Sequence, residues 1–229
     1  MSRSPRKKLR PTPSPPHPVG HLLAEFEPLL PAEAKLREAC RKGEMAKIGD
    51  ERPDAMTEAN RIRAEVLRVF CLGLDPAAPV HEHGVWAQGA WITGHLDLSD
   101  CSVPRPLLLE KSVVAGALIL ADATTVGVSF DGTRCRGITG DRLTCRSGVF
   151  LRAGFVAEGT VRFAGAAIAG DLACRKGKFV PTEEDALDLD GAKIAGNVFL
   201  NGGFVSEGTV RLLGAIIGGD LVCNNGRFE

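Results

Sequence analysis

Three histidines, His81, His83 and His95, lie close together with Asp97 and form the densest group of potential metal ligands in the chain. His81 and His83 are two residues apart, so on a strand both imidazoles share one face, and their nitrogens suit zinc or a similar ion. The same spacing also fits a polar rim at the edge of a first coil. Asp171 and Asp220 stand 49 residues apart in matching sequence contexts, with Asn197 in the intervening match. Hydrolysis of a glycosidic bond uses two carboxyl groups across a cleft. The seven cysteines (Cys40, Cys71, Cys101, Cys135, Cys145, Cys174, Cys223) include no CxxC pair and no close His–Cys spacing, so free thiols in a reducing compartment are expected. Cys174 and Cys223 stand where neighbouring repeats carry Leu151 and Leu200, which marks them as small core hydrophobes. No catalytic residue is assigned.

What would position these side chains is a repeat. Residues 148–179 and 197–228 align without gaps at an offset of 49 and agree at 20 of 32 positions. Inside this long repeat lies a shorter one: GAAIAGDLAC (165–174), GAKIAGNVFL (191–200) and GAIIGGDLVC (214–223) superpose at offsets of 26 and 23. Each short unit holds two apolar triplets, so one unit corresponds to one turn of a solenoid. A single turn cannot bury its apolar face, and several must stack. The fold expected from about Val85 to Phe228 is an all-β solenoid, a right-handed parallel β-helix.

Stacking like residues on like predicts two strand rows. One contains Val149–Leu151, Leu172–Cys174, Val198–Leu200 and Leu221–Cys223, and the other contains Val161–Phe163, Leu187–Leu189 and Val210–Leu212. Alternation along a strand turns the outer members of each triplet inward and the middle one outward. Gly165, Gly191 and Gly214 then mark corners, Ile168, Ile194 and Ile217 point inward, and Phe155, Phe179, Phe204 and Phe228 form an interior stack. The middle unit is longer because of a polar loop at Pro181–Asp185.

The outward row Phe150, Ala173, Phe199, Val222 is apolar where solvent is expected, the usual mark of a contact surface. The outward row Arg162, Asp188, Arg211 forms a ladder of alternating charge. Such a ladder suits cross-strand pairing, or an acidic or sugar ligand. Upstream the pattern loosens. Counting back in steps of about eleven residues puts Leu96–Leu98 in the second row, whereas matching the G-A-x-I-x-G motif at 89–94 puts it in the first, and a break is expected between Gly127 and Ser147.

Ahead of the solenoid the composition changes. Residues 1–19 are Pro-rich and basic (Arg3, Arg6, Lys7, Lys8, Arg10) and predict a disordered tail. Residues 20–78 are expected to be a helical cap, with a helix after Pro31 and another from Thr57 to Cys71, and residues 79–229 to be the β-helix. Without the tail the chain holds 23 basic and 28 acidic residues, which excludes a dedicated nucleic-acid binder. No apolar run reaches membrane-spanning length and the start lacks a signal-peptide core, so a cytoplasmic location is expected, with peripheral membrane contact through the tail as a side possibility. The last repeat Phe is followed by one residue, so either further coils or pairing with another molecule is expected at that end.

The G-A-x-I-x-G-D-L-x-C units, the G-F-V-x-E-G-T-V-R segments and the stretch IRAEVLRVFCLG…VHEHGVWAQGAWITGHLDL resemble a group of bacterial repeat proteins, described as uncharacterised or as membrane-associated oxidoreductases. The resemblance covers residues 50–228 and implies a β-helix, distantly like the pentapeptide-repeat proteins. It brings no catalytic motif and no cofactor: the sequence has no G-x-G-x-x-G between strand and helix, no CxxC and no haem-attachment signature. The leading expectation is a non-catalytic scaffold that works by protein–protein contact or self-association. The alternatives are a carbohydrate-active β-helix enzyme and, as the label suggests, a redox protein.

Overall fold

The computed structural model describes residues 20–182 and 184–229. The expected disordered tail, 1–19, lies outside the described residues. From Val85 onward the chain winds through about six turns of a four-sided parallel solenoid, each turn giving one short strand to each of four faces in the order 1, 2, 3, 4. Face 1 strands begin at Val85, Leu107, Val128, Val149, Leu172, Val198 and Leu221, so successive turns take 21 to 26 residues. Face 2 runs from Trp91–Thr93 to Arg227–Phe228, face 3 from Leu96–Asp97 to Thr209–Arg211, and face 4 from Ser102–Val103 to Ile216–Ile217. The expected first row is face 1 and the expected second row is face 3, with Val149↔Leu172↔Val198↔Leu221 and Val161↔Leu187↔Val210 in register.

Two upstream expectations are resolved. Leu96 pairs with Leu118, which leads through Ile138 to Val161, so the segment belongs to face 3 and step counting gives the correct placement. The motif at 89–94 misleads because its Ile92 lies on face 2, whereas Ile168 and Ile194 lie on face 4. No break separates Gly127 from Ser147: Val128 pairs directly with Val149. The motif disappears there for a conformational reason. Gly165, Gly191 and Gly214 hold one corner at φ near +66°, and the same corner upstream is held by Asp100, Asp122 and Arg142 at φ +54° to +56°. A left-handed conformation costs a non-glycine residue about 1–2 kcal/mol, which the surrounding ladder sustains.

The core repeats over two turns. At the start of face 2, Phe155, Phe179, Phe204 and Phe228 form one stack with ring centroids 5.1–5.5 Å apart. The rings come alternately from just before the strand and from its second residue. The other position in each turn is small: Ala157, Gly177, Ser206, Gly226. A Cβ on Gly177 would meet the Phe179 ring at 2.9 Å, so this glycine is the space the ring needs. The expected interior stack is therefore present, although Phe228, on the last turn, is 48% exposed.

The N-terminal segment is less helical than expected. Helix α1 spans Pro31–Lys42 and α2 spans Ala64–Leu72. Thr57 does not cap α2; it closes a turn with Asn60, and Arg61–Arg63 is a strand paired with Trp91–Thr93. Ala46–Lys47 likewise pairs with face 1 at Ala87–Gln88, so the segment 20–78 contributes strands to faces 1 and 2. Helix α2 packs on the first strands of faces 3 and 4 and buries Val66, Leu67, Val69 and Phe70. Glu33 ties α1 to this layer. Its fully buried carboxylate accepts hydrogen bonds from Arg63 Nε (2.8 Å), Arg63 Nη2 (2.6 Å), and the backbone N–H of Leu30 and Arg63 (2.9 Å each). Burial opposes its ionisation, but these donors together hold its pKa below the ordinary value.

A carboxylate with a depressed folded-state pKa contributes stability that is present above its unfolded pKa and lost as pH falls through the folded one. We therefore expect acid to release α1, with its hydrogen-exchange protection lost as pH falls below the ordinary glutamate range, and Glu33→Gln to remove that pH dependence. If the α1 amides of wild type and Glu33→Gln respond to acid identically, the assignment fails. In the core, Phe179→Ala should cost about 3–5 kcal/mol in denaturant unfolding, and Phe228→Ala less than half as much.

Candidate contact face and polar groove

Face 1 presents outward, in successive turns, Trp86, Leu108, Ser129, Phe150, Ala173, Phe199 and Val222. Large and small side chains alternate from Leu108 to Phe199. The large ones are half-buried, while Ser129 (7% exposed) and Ala173 (4%) are shielded beneath them, so Ala173 is not the open surface residue expected. Guanidinium groups lie on both Phe rings: Arg152 over Phe150 at 4.4 Å and Arg175 over Phe199 at 3.9 Å. An Arg over an exposed aromatic face contributes about 0.5–1 kcal/mol. A depression of about 140 Å³ opens beside Ser129, lined by Pro106, Leu108, Gly127 and Phe150. Sequence reasoning found the lower half of this row. It missed Trp86, Leu108 and Ser129 because their turns had no assigned register.

The charged ladder has the expected register, Arg162↔Asp188↔Arg211, but not the expected pairing. Arg162 pairs diagonally with Asp141 of the preceding turn, and Arg211 with Asp190 at 2.5 Å. Arg211 lowers the pKa of Asp190 through this hydrogen-bonded contact. Asp188 is nearly buried and accepts the Asp190 backbone N–H at 2.9 Å. Together Thr139, Thr160, Arg162, Glu184, Asp185 and Asp188 line a groove of about 660 Å³ with no aromatic ring in its wall.

The paired acids are used by the backbone. Asp171 Oδ1 accepts the Asn197 N–H at 2.7 Å, and Asn197 Oδ1 accepts the Asp220 N–H at 2.9 Å, so each side chain anchors the turn that follows. The histidines do not assemble. His81 and His83 stack edge to face with centroids 4.4 Å apart, but His83 Nδ1 lies 3.0 Å from the Gly43 carbonyl oxygen, and His95 Nδ1 accepts the Ala117 N–H on another part of the surface. Among the described residues no three His, Cys, Asp or Glu side chains converge to hold a metal ion.

A scan against protein-family models, a search of curated proteins and a search of solved structures each found no match to this chain. Among the described residues no helix is long and apolar enough to cross a membrane.

The thiols separate by environment. Burial pushes Cys40 and Cys135 up to about 12 and raises Cys174 further, while Cys223 is exposed on the last turn. In a colorimetric thiol titration of native protein, Cys223 should react first and Cys174 only on unfolding. Reaction of Cys174 at a comparable rate in the folded protein would overturn its assignment as a core residue.

Proposed function

We propose that the protein is a non-catalytic scaffold that works through protein–protein contact, with the outward surface of face 1 as its binding surface. The observation that carries this reading is the row Trp86, Leu108, Phe150, Phe199, flanked by Arg152 and Arg175. Aromatic and Arg side chains held together in a water-excluding cluster are the usual source of binding energy at interfaces. The solenoid is read as right-handed, the hand of nearly all parallel crossovers. Helices α1 and α2 are read as its cap: α2 occupies the place of face 3 and face 4 strands in the first, partial turn. Peripheral membrane contact through the basic tail and a cytoplasmic location belong to the same reading.

The groove on face 3 favours one second reading, a site for a polar ligand such as a sugar or an organic cation. Its volume lies within the range of small-molecule sites, and three acids with one Arg supply hydrogen-bond partners. The acids flanking this groove, rather than Asp171 and Asp220, would serve a carbohydrate-active enzyme. The missing aromatic platform among the described residues of the groove weighs against it.

A photoreactive benzophenone amino acid at position 199, on face 1, should form an adduct with one identifiable protein in the producing cells. The same label at Lys193, on face 4, should not. Absence of a defined adduct at position 199 sinks the contact reading. Phe199→Asp should abolish the adduct formed from position 150 while lowering stability by less than about 1.5 kcal/mol, since Phe199 points away from the core.

A further inference from the structure

We propose that the partner of face 1 is a second copy of this chain, packed face to face with its solenoid axis reversed. The inference rests on the contact reading above and specifies its geometry. Beside the apolar row, at the corner after face 1, successive turns carry Gln88, Glu110, Asp131, Arg152, Arg175 and Asn201. This order is acid, acid, base, base, so the strip is complementary to itself when turned end for end. A two-fold axis running along the strand direction, midway between the turns of Val128 and Val149, matches every member. Asp131 then faces Arg152 of the second copy, Glu110 faces Arg175, and Gln88 faces Asn201.

The same axis sets a large against a small side chain at two of the three positions of the apolar row. Ser129 meets Phe150 of the second copy beside the 140 Å³ depression, Leu108 meets Ala173, and Trp86 meets Phe199 as an aromatic pair. The charge order selects this register, and the alternation of size in the apolar row is compatible with it. In a closed two-fold interface each of these contacts occurs twice. The free valences also agree. Asp131 and Arg152 are joined within the chain at 2.6 Å, so the axis brings two such pairs together as an alternating quartet. Arg175 is exposed and makes no ion pair among the described residues. Glu110 uses Oε1 for the Trp86 indole N–H at 2.9 Å, which leaves its other oxygen to accept from Arg175 of the second copy.

Size sets the strength. Six turns about 4.8 Å apart and four residues of about 3.3 Å give a flat footprint of roughly 300 Å² per copy. This is well below the roughly 800 Å² of a standard stable interface. The dimer is therefore a weak, transient one, favoured by low salt because its outer pairs are exposed.

Sedimentation velocity of the full chain from about 1 to 200 µM tests this. Wild type should shift from monomer to dimer across the range, and Glu110→Arg or Arg175→Glu alone should raise the dissociation constant at least tenfold. The double variant Glu110→Arg/Arg175→Glu should restore dimerisation, with circular dichroism confirming that all four proteins fold. A dimer indifferent to single reversals, or not rescued by the double variant, overturns the reversed-axis register. A monomer at every concentration overturns self-pairing itself. In that case a benzophenone adduct with a different protein leaves the contact reading standing, whereas a chain with neither dimer nor adduct loses both.

Discussion

Parallel hydrogen bonding between successive turns is the constraint on which the rest of this structure depends. On all four faces a residue pairs with its counterpart one turn away, and the corners continue the pattern through bonds such as Gly165 N–H to the Asp190 carbonyl at 2.8 Å. The spacing between counterparts is then fixed near 4.8 Å, less than the thickness that two bulky groups need when stacked at odd angles. Side-chain choice at any position is consequently a choice about its neighbours above and below. The phenylalanine stack obeys this by supplying one ring per turn from alternating positions. Gly140 obeys it too: a Cβ there would stand 2.4 Å from the Phe163 ring of the next turn. The outward row of face 1 follows the same rule, with Ser129 and Ala173 small because Phe150 and Phe199 spread across them.

Charge is subject to the same spacing but has more freedom, because long side chains can reach sideways. Directly stacked like charges on one row would repel, and directly stacked opposite charges need only meet. The chain uses the diagonal instead for Arg162–Asp141 and Arg211–Asp190, and the direct stack for Arg152–Asp131 and Arg142–Asp122. In each case the Arg lies one turn after its Asp. Asp131 and Asp190 additionally accept backbone N–H groups of Arg152 and Leu213. Exposed pairs of this kind contribute little each, about 0–1 kcal/mol, so their main effect is on register rather than on total stability.

The sequence exposed this architecture unevenly, and the reason is physical. The downstream turns fill the left-handed corner with glycine, which leaves a visible motif, whereas the upstream turns fill it with Asp100, Asp122 and Arg142, which leave none. Period alone still located Leu96–Leu98, because the upstream turns take 21 or 22 residues, two steps of about eleven, even where the corner residues change. The helix expected from Thr57 begins only at Ala64, since Arg61–Arg63 gains ladder hydrogen bonds by extending face 2, and tertiary pairing outweighs local helix preference. Diagonal ion pairs were not legible either. They depend on side-chain reach across turns, and stacking like on like predicts only the direct neighbour.

A solenoid offers a surface whose pattern is written one residue per turn, and this makes face 1 unlike a patch on a globular protein. Core positions in the four downstream turns repeat closely, because each must fit the same cross-section. The outward corner row from Glu110 to Arg175 does not repeat at all: it changes from acid to base at the middle of the solenoid. Within the chain Asp131 pairs with Arg152, while Glu110 and Arg175 do not touch one another and each holds an aromatic side chain of the apolar row, Trp86 and Phe199. A change from acid to base about one point, set beside an apolar row of alternating size, suits recognition of a reversed copy. Because the scaffold holds the spacing constant, all the charge pairs form together in one register only: a shift by a single turn sets Phe150 against Phe150 and Arg152 against Arg152 in one direction, and Asp131 against Asp131 in the other.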